Sequence, residues 1–382
     1  MTPWRTAVLM LLTVPICAVS APRPLLTPSG DDVVLETLPA GPRLSVASST
    51  PINSTSREAL GASLDTIAGL LSSARASGDP RYLGYAEAQL KPWLTRYTSD
   101  PRVQLTHARL LQANHHFTPA QTILNELIIA HADASEAVLL SASIAQVQGD
   151  IALATQRCHQ LKGLAMLPFA LICQAQVDGV SGQAKTALAA LQKVPAKALG
   201  FTPQQATWWW LSQADIADRL GLSERAEAAF IAAQSGGAEA VGAYADWLYQ
   251  QQRFAEAEKR LLPWRRHDGL LTQLARVQRR LGRAEASATQ AQASARWQAF
   301  LARGEPGHER ELALFYLDVT KQPNTALRYA KRNWQNQRET ADFRIYARAA
   351  MATESASDLA VLREWQTSTG FEDLSTTLKP AP

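Results

Sequence analysis

From about Arg57 to Gln366, apolar residues recur at three- and four-residue spacing, and no window alternates apolar with polar residues as a half-buried strand would. The pattern predicts helices throughout, and small residues mark how they pair. Alanines recur twelve positions apart at Ala74 and Ala86, Ala108 and Ala120, Ala142 and Ala154, Ala175 and Ala187, Ala214 and Ala226, and Ala245 and Ala257. Ala275 with Ser287 and Leu314 with Ala326 continue the series. Two helices of a hairpin approach closely only where side chains are small, so eight successive hairpins account for the spacing. With 66 alanines in 382 residues, about one position in six would match by chance, whereas seven of the eight first-helix positions are alanine. Four residues after each second member stand Leu90, Leu124, Cys158, Leu191, Phe230, Leu261, Ala291 and Ala330. All are apolar, as the next residue on one helical face should be.

The second members step by 34, 34, 33, 39, 31, 30 and 39 residues. Gln148-Gly149-Asp150-Ile151, Leu220-Gly221-Leu222-Ser223 and Leu281-Gly282-Arg283-Ala284 each supply a glycine where a helix must stop. On these features the stretch from about 57 to 370 resembles the tetratricopeptide repeat (TPR), a helix-turn-helix unit of 34 residues. The resemblance implies an all-α, right-handed α-solenoid of about eight TPR-like hairpins over residues 55–340, with a concave groove lined mainly by first helices. The family's best-known clamp for a terminal carboxylate is missing. Its places carry Leu105, Thr106, Arg109, Leu139, Leu140 and Ser143.

Element boundaries are readable too. Thr55-Ser56-Arg57-Glu58 is a capping box, and Pro101, Pro168 and Pro203 stand where first helices begin. Breaks fall at 193–203 and 303–307. Residues 341–370 read as C-terminal capping helices, with Phe343, Ile345, Tyr346, Leu359, Leu362 and Trp365 inward. Residues 371–382 read as a flexible tail whose removal should cost no stability.

The amino terminus is a separate element. Arg5, the apolar run Ala7 to Val19 and the small residues Val19-Ser20-Ala21 predict a signal peptide over 1–21, and residues 22–54 a disordered Pro/Ser/Thr-rich linker. Ile16 before Cys17 disfavours lipid attachment. No later segment is apolar enough to cross a membrane. An exported protein follows, periplasmic or secreted. Two cysteines remain in the mature chain, Cys158 and Cys173, flanking the turn 162–168 nearly symmetrically. A disulfide and two separate buried thiols are both open readings.

Charge and motifs narrow the function. The formal net charge is +4, one unit of which leaves with Arg5, too little to argue for nucleic acid. There is no Gly-rich phosphate loop, no His-Glu-x-x-His, no Gly-x-Ser-x-Gly and no Cys-x-x-Cys. No catalytic residue, metal or cofactor is expected, and His115-His116 sit in a turn where solvent exposure is the default. Asp215 and Asp218 share a helical face, which on a repeat helix is more often a solvated or ligand-facing surface than an acid-base pair.

Two stripes remain as binding candidates. Trp208-Trp209-Trp210 opens a first helix, and successive residues project about 100° apart, so the three rings diverge. By the family's pattern Trp210 takes the buried place and Trp208 faces the groove, with Leu211, Asp215 and Arg219 below it. Packing into the wide junction before this unit is the competing account of the rings. Arg276, Arg279, Arg280 and Arg283 form the second stripe, suited to an acidic peptide or to solvent. The functional expectation is a non-enzymatic protein-protein interaction scaffold of the periplasm or cell envelope, binding a peptide or protein segment. The alternative is an envelope polysaccharide-binding or export-assisting factor, with Trp208 or Trp209 stacked on sugar rings. An enzyme is the remote third reading.

Overall fold

The computed structural model describes residues 57–164, 166–194, 199–303 and 307–378. The signal peptide, the linker, Thr55-Ser56 and the last four residues lie outside them. Eighteen α-helices among the described residues pack as consecutive hairpins. They run α1 (Arg57–Ser77) with α2 (Arg81–Arg96), α3 (Pro101–Ala113) with α4 (Phe117–Ala130), and α5 (Ser135–Gln148) with α6 (Ile151–Gly163). Next come α7 (Leu167–Val180) with α8 (Ala184–Gln192), α9 (Pro203–Arg219) with α10 (Ser223–Ala232), and α11 (Gly237–Gln250) with α12 (Phe254–Leu261). The last three are α13 (Asp268–Leu281) with α14 (Ala286–Arg303), α15 (Glu309–Leu314) with α16 (Pro323–Trp334), and α17 (Thr340–Ala352) with α18 (Ala356–Thr369).

The alanine pairs do what their spacing implies. Both members of the first six pairs are buried, as are Ala275 and Ala326. Starts and stops follow local chemistry. The Asp100 and Asp150 carboxylates accept from Arg102 N–H and Leu153 N–H. Thr202 and Gln205 close a reciprocal capping box ahead of Pro203. Gly149 ends α5 at φ +72°, a left-handed conformation that glycine adopts without a Cβ penalty.

Two hairpins depart from the expected register. A π turn at Phe315–Val319 follows α15, with Thr320 N–H donating to Phe315 O, five residues back. The wider turn takes up an extra residue, so Ala313, fully buried, holds the small place expected of Leu314. In the seventh hairpin Ser287 and Ala291 are exposed, and Ala293, Trp297 and Phe300 form the buried face of α14 instead. The large side chains on this face lie in its second half, and Trp297 N–H donates to Thr272 Oγ1 at 2.8 Å. A gap of about 500 Å³ remains beside the first turns, over Leu271, Leu274 and Thr289.

The array closes on itself. α1 packs against α11, five hairpins later. The turn of the first hairpin seats on the connection between the sixth and seventh, where a Cβ on Gly78 would fall 2.2 Å from the His267 ring. His115, in the second turn, lies against Gly307 before α15. At the third turn, Val147 O accepts from Arg338 N–H at 2.7 Å, and Arg338 comes between α16 and α17. At the fourth, Gly182 meets Gly370 after α18. The same step recurs each time, so the hairpins wind one tight superhelical turn with a central bore.

The carboxyl end is part of this closure. The six inward residues foreseen on α17 and α18 are buried. The expected flexible tail, however, is packed over its described part: Phe371 and Asp373 are buried, and Leu374 N–H donates to Arg219 O at 2.9 Å. Its composition looked polar, but its partners lie on α9 and α17, far away in sequence.

Candidate functional site

The bore contains a cavity of about 380 Å³, lined by α5, α7, α9 and α11 and, across from them, by Arg310 of α15 and the start of α17. First helices supply nearly all of it because their second helices are stacked outside. On α9, Trp208, Leu211 and Asp215 fall three and seven residues apart, on one face, and that face lines the cavity. Trp208 is half-buried and stacks on Phe169 at 6.4 Å and 23°.

Trp209, not Trp210, is the ring fully enclosed in the core, against Phe201 at 5.8 Å. α10 has 10 residues to the 17 of α9, so the first two turns of α9 run past its partner and Trp210, at the edge of that overhang, is half-covered. Trp209 is therefore closed to any ligand.

The arginines do not form a binding stripe. Arg219 is fully buried, donating to Asp215 Oδ2 at 3.1 Å, Gly179 O at 2.7 Å and Glu372 O at 3.2 Å, over the Phe371 ring. Arg276 is buried between Asp246, with which it is hydrogen-bonded, and Asp318 at 3.5 Å, and lies over Tyr249. Arg279 and Arg280, one turn further along the same face, are exposed and bonded to Val319 O at 3.0 Å and Tyr249 Oη at 3.1 Å, and neither lines the cavity. The i, i+3, i+4 spacing correctly grouped them on one helix, but the element covering Arg276 comes forty residues later.

Five carboxylates and two guanidinium groups line the cavity: Asp215, Asp218, Glu239, Asp246 and Glu339 against Arg310 and Arg344. Arg344 is taken by Asp218 at 2.6 Å and Asp373 at 2.8 Å. Arg310 sits at 3.1 Å from Glu339 and 3.4 Å from Asp342. Glu239, in the first turn of α11, has no ion-pair partner among the described residues. It is accessible to water yet surrounded by protein, since its carboxyl looks into the bore. Burial raises its pKa, Glu339 adds to the shift, and Arg75 and Arg310 oppose it. Burial also raises Glu339, against the pull of Arg310. Two further groups on this lining, Trp247 Nε1 and Gln176 Oε1, are buried without a hydrogen-bond partner among the described residues.

Cys158 on α6 and Cys173 on α7 are joined as a disulfide with Cα atoms 5.5 Å apart. Gln146 amide N–H donates to Cys173 O at 3.1 Å beside it. No group of three or more His, Cys, Asp and Glu among the described residues is placed to hold a metal ion, and none of their helices is long and apolar enough to cross a membrane.

No family model matches the chain, and no curated protein does. Among solved structures it is similar to the crystal structure of the P58(IPK) TPR domain, at 14% identity over 80% of this chain and 97% of that one, with a TM-score of 0.23. The class rests on the chain's own packing: consecutive hairpins, closed on small residues twelve apart. This is a TPR-like α-solenoid. Sequence reasoning found the α9 stripe of the solenoid but missed Glu239, Glu339 and Arg310, which converge only because the superhelix closes.

Proposed function

We propose that the chain is a non-enzymatic binding protein of an exported compartment, holding a segment of a partner protein in the bore. The observation that carries this reading is the 380 Å³ cavity, onto which Trp208, Leu211 and Asp215 face from one helix. That volume is in the range of sites that enclose a small ligand or a few side chains, and aromatic residues dominate such contacts. The exported address is supported by the amino-terminal charge-and-apolar pattern and by the Cys158–Cys173 disulfide, a bond that persists in oxidising compartments.

A photoreactive residue at position 208 tests the reading in cells, with one at the exposed Glu256 of α12 as control. A protein crosslinked from 208 and absent from 256 is the expected result. No protein adduct from 208 overturns it, and glycan capture there would replace the partner protein by a polysaccharide.

A further inference from the structure

We propose that the bore takes a cationic side chain, a lysine or arginine of a partner segment, seated between Glu239, Asp215 and Glu339 with the Trp208 ring on its flank. The inference rests on the reading of this cavity as the binding site and adds the chemistry of what enters it.

Both lining guanidinium groups are already paired, Arg344 with Asp218 and Asp373, and Arg310 with Glu339. Arg219 and Arg276, which the sequence offered as anion-holding groups, are buried and taken up by Asp215 and Asp246. Among the described residues no lining cation is left for an anionic ligand. Glu239 lacks an ion-pair partner among the described residues, and Asp215 accepts from Arg219 through Oδ2 alone. Glu239 and Glu339, from α11 and the start of α17, repel one another across the cavity, and Asp215 adds to the repulsion at Glu339. A cation between these carboxylates relieves that repulsion. Trp208 contributes an aromatic surface of the kind that attracts ammonium and guanidinium groups.

A partner segment is favoured over a free amine because it covers the Trp208 ring and Leu211 on either side of its basic side chain, whereas a small amine would leave that part of the lining bare.

The test is calorimetric titration of the full mature chain with three sets of blocked tripeptides that differ only at the central residue, Lys, norleucine or Glu, and with spermidine. The Lys set is expected to bind best and to weaken with added salt. Glu239→Gln should weaken the Lys set by about tenfold or more, leave the norleucine set unchanged, and not lower the thermal midpoint, since it removes an unpaired carboxylate. Preference for norleucine or Glu, or a Glu239→Gln chain that binds the Lys set as well as the parent, overturns the cationic assignment while leaving the bore as the binding site. Spermidine binding as tight as the Lys set overturns the peptide assignment. Failure of every probe, together with no adduct from position 208, sinks both readings.

Discussion

Arg344 grips Asp373 with a fork of two hydrogen bonds, Nε to Oδ2 and Nη2 to Oδ1, each 2.8 Å, across 29 positions of chain. The same guanidinium reaches Asp218 on α9 at 2.6 Å, so one side chain ties the carboxyl end to the fifth hairpin. Ending the chain after Gly370 should therefore lower the thermal midpoint sharply, whereas ending it after Leu378 should not. Phe371→Ala alone should cost about 3–5 kcal/mol, the range for emptying a buried phenylalanine site. Urea unfolding of the three variants checks this, and equal midpoints for the two truncations would restore the view of 371–378 as a loose tail.

The small-residue pairs differ in what they tolerate. Ala142 is fully buried between α5 and α6, and Ala142→Leu should destabilise by about 1–3 kcal/mol through overpacking. Ser287 holds the equivalent place in the seventh hairpin but is exposed, so Ser287→Leu should fall within about 0.5 kcal/mol of the parent. A large loss at Ser287 in chemical denaturation would contradict the rotated setting of α14.

The disulfide spans a sequence separation of 15 residues, a loop whose closure is worth about 3 kcal/mol on the chain-entropy account. Reductant should lower the thermal midpoint of the parent and leave that of a Cys158→Ala, Cys173→Ala double variant where it is. A parent that melts identically with and without reductant would show the bond to be absent or energetically idle.

Acidity should act on the seams through histidine. Burial lowers the pKa of His115 and of His267 below the usual 6.5. Below 6.5 the unfolded chain takes up protons that these two folded sites refuse, so their contribution to stability is lost as pH falls from 6.5 through the folded values. For His308 burial also acts downward, but the hydrogen bond and charge of Glu311 outweigh it and the pKa is raised. Its contribution is complete below 6.5 and lost as pH rises through the folded value. Urea midpoints between pH 7.5 and 5 should therefore depend less steeply on pH in His267→Gln and more steeply in His308→Gln. The reverse order would mean that His267 is not held neutral at the Gly78 seam.

What the sequence disclosed and what it hid have a common cause. The alanine pairs, the glycine stops and the two cysteines flanking one turn are local: each is explained by a partner within about fifteen residues, where helical period and hairpin symmetry fix the geometry. Leu314 was misplaced because a π turn adds a residue that no periodic count anticipates. Arg219 and Arg276 read as surface because their covers, Phe371 and Asp318, arrive 152 and 42 positions later. Glu239 was invisible for a different reason. A carboxylate in a first helical turn is what the helix dipole favours anyway, so nothing nearby marks it as unusual.

The recurring step, in which the turn of each early hairpin meets the connection five hairpins on, ties the number of units to the circumference. Open arrays lengthen or shorten by whole units because each unit answers only to its neighbours. Here, excising one hairpin from the middle would bring every later connection one place early, so that Gly78 would meet the α14–α15 connection in place of His267, and all four seams would be mismatched together. Whole-hairpin insertion or deletion is thus penalised by the closure itself, so the tally of helices is held by geometry.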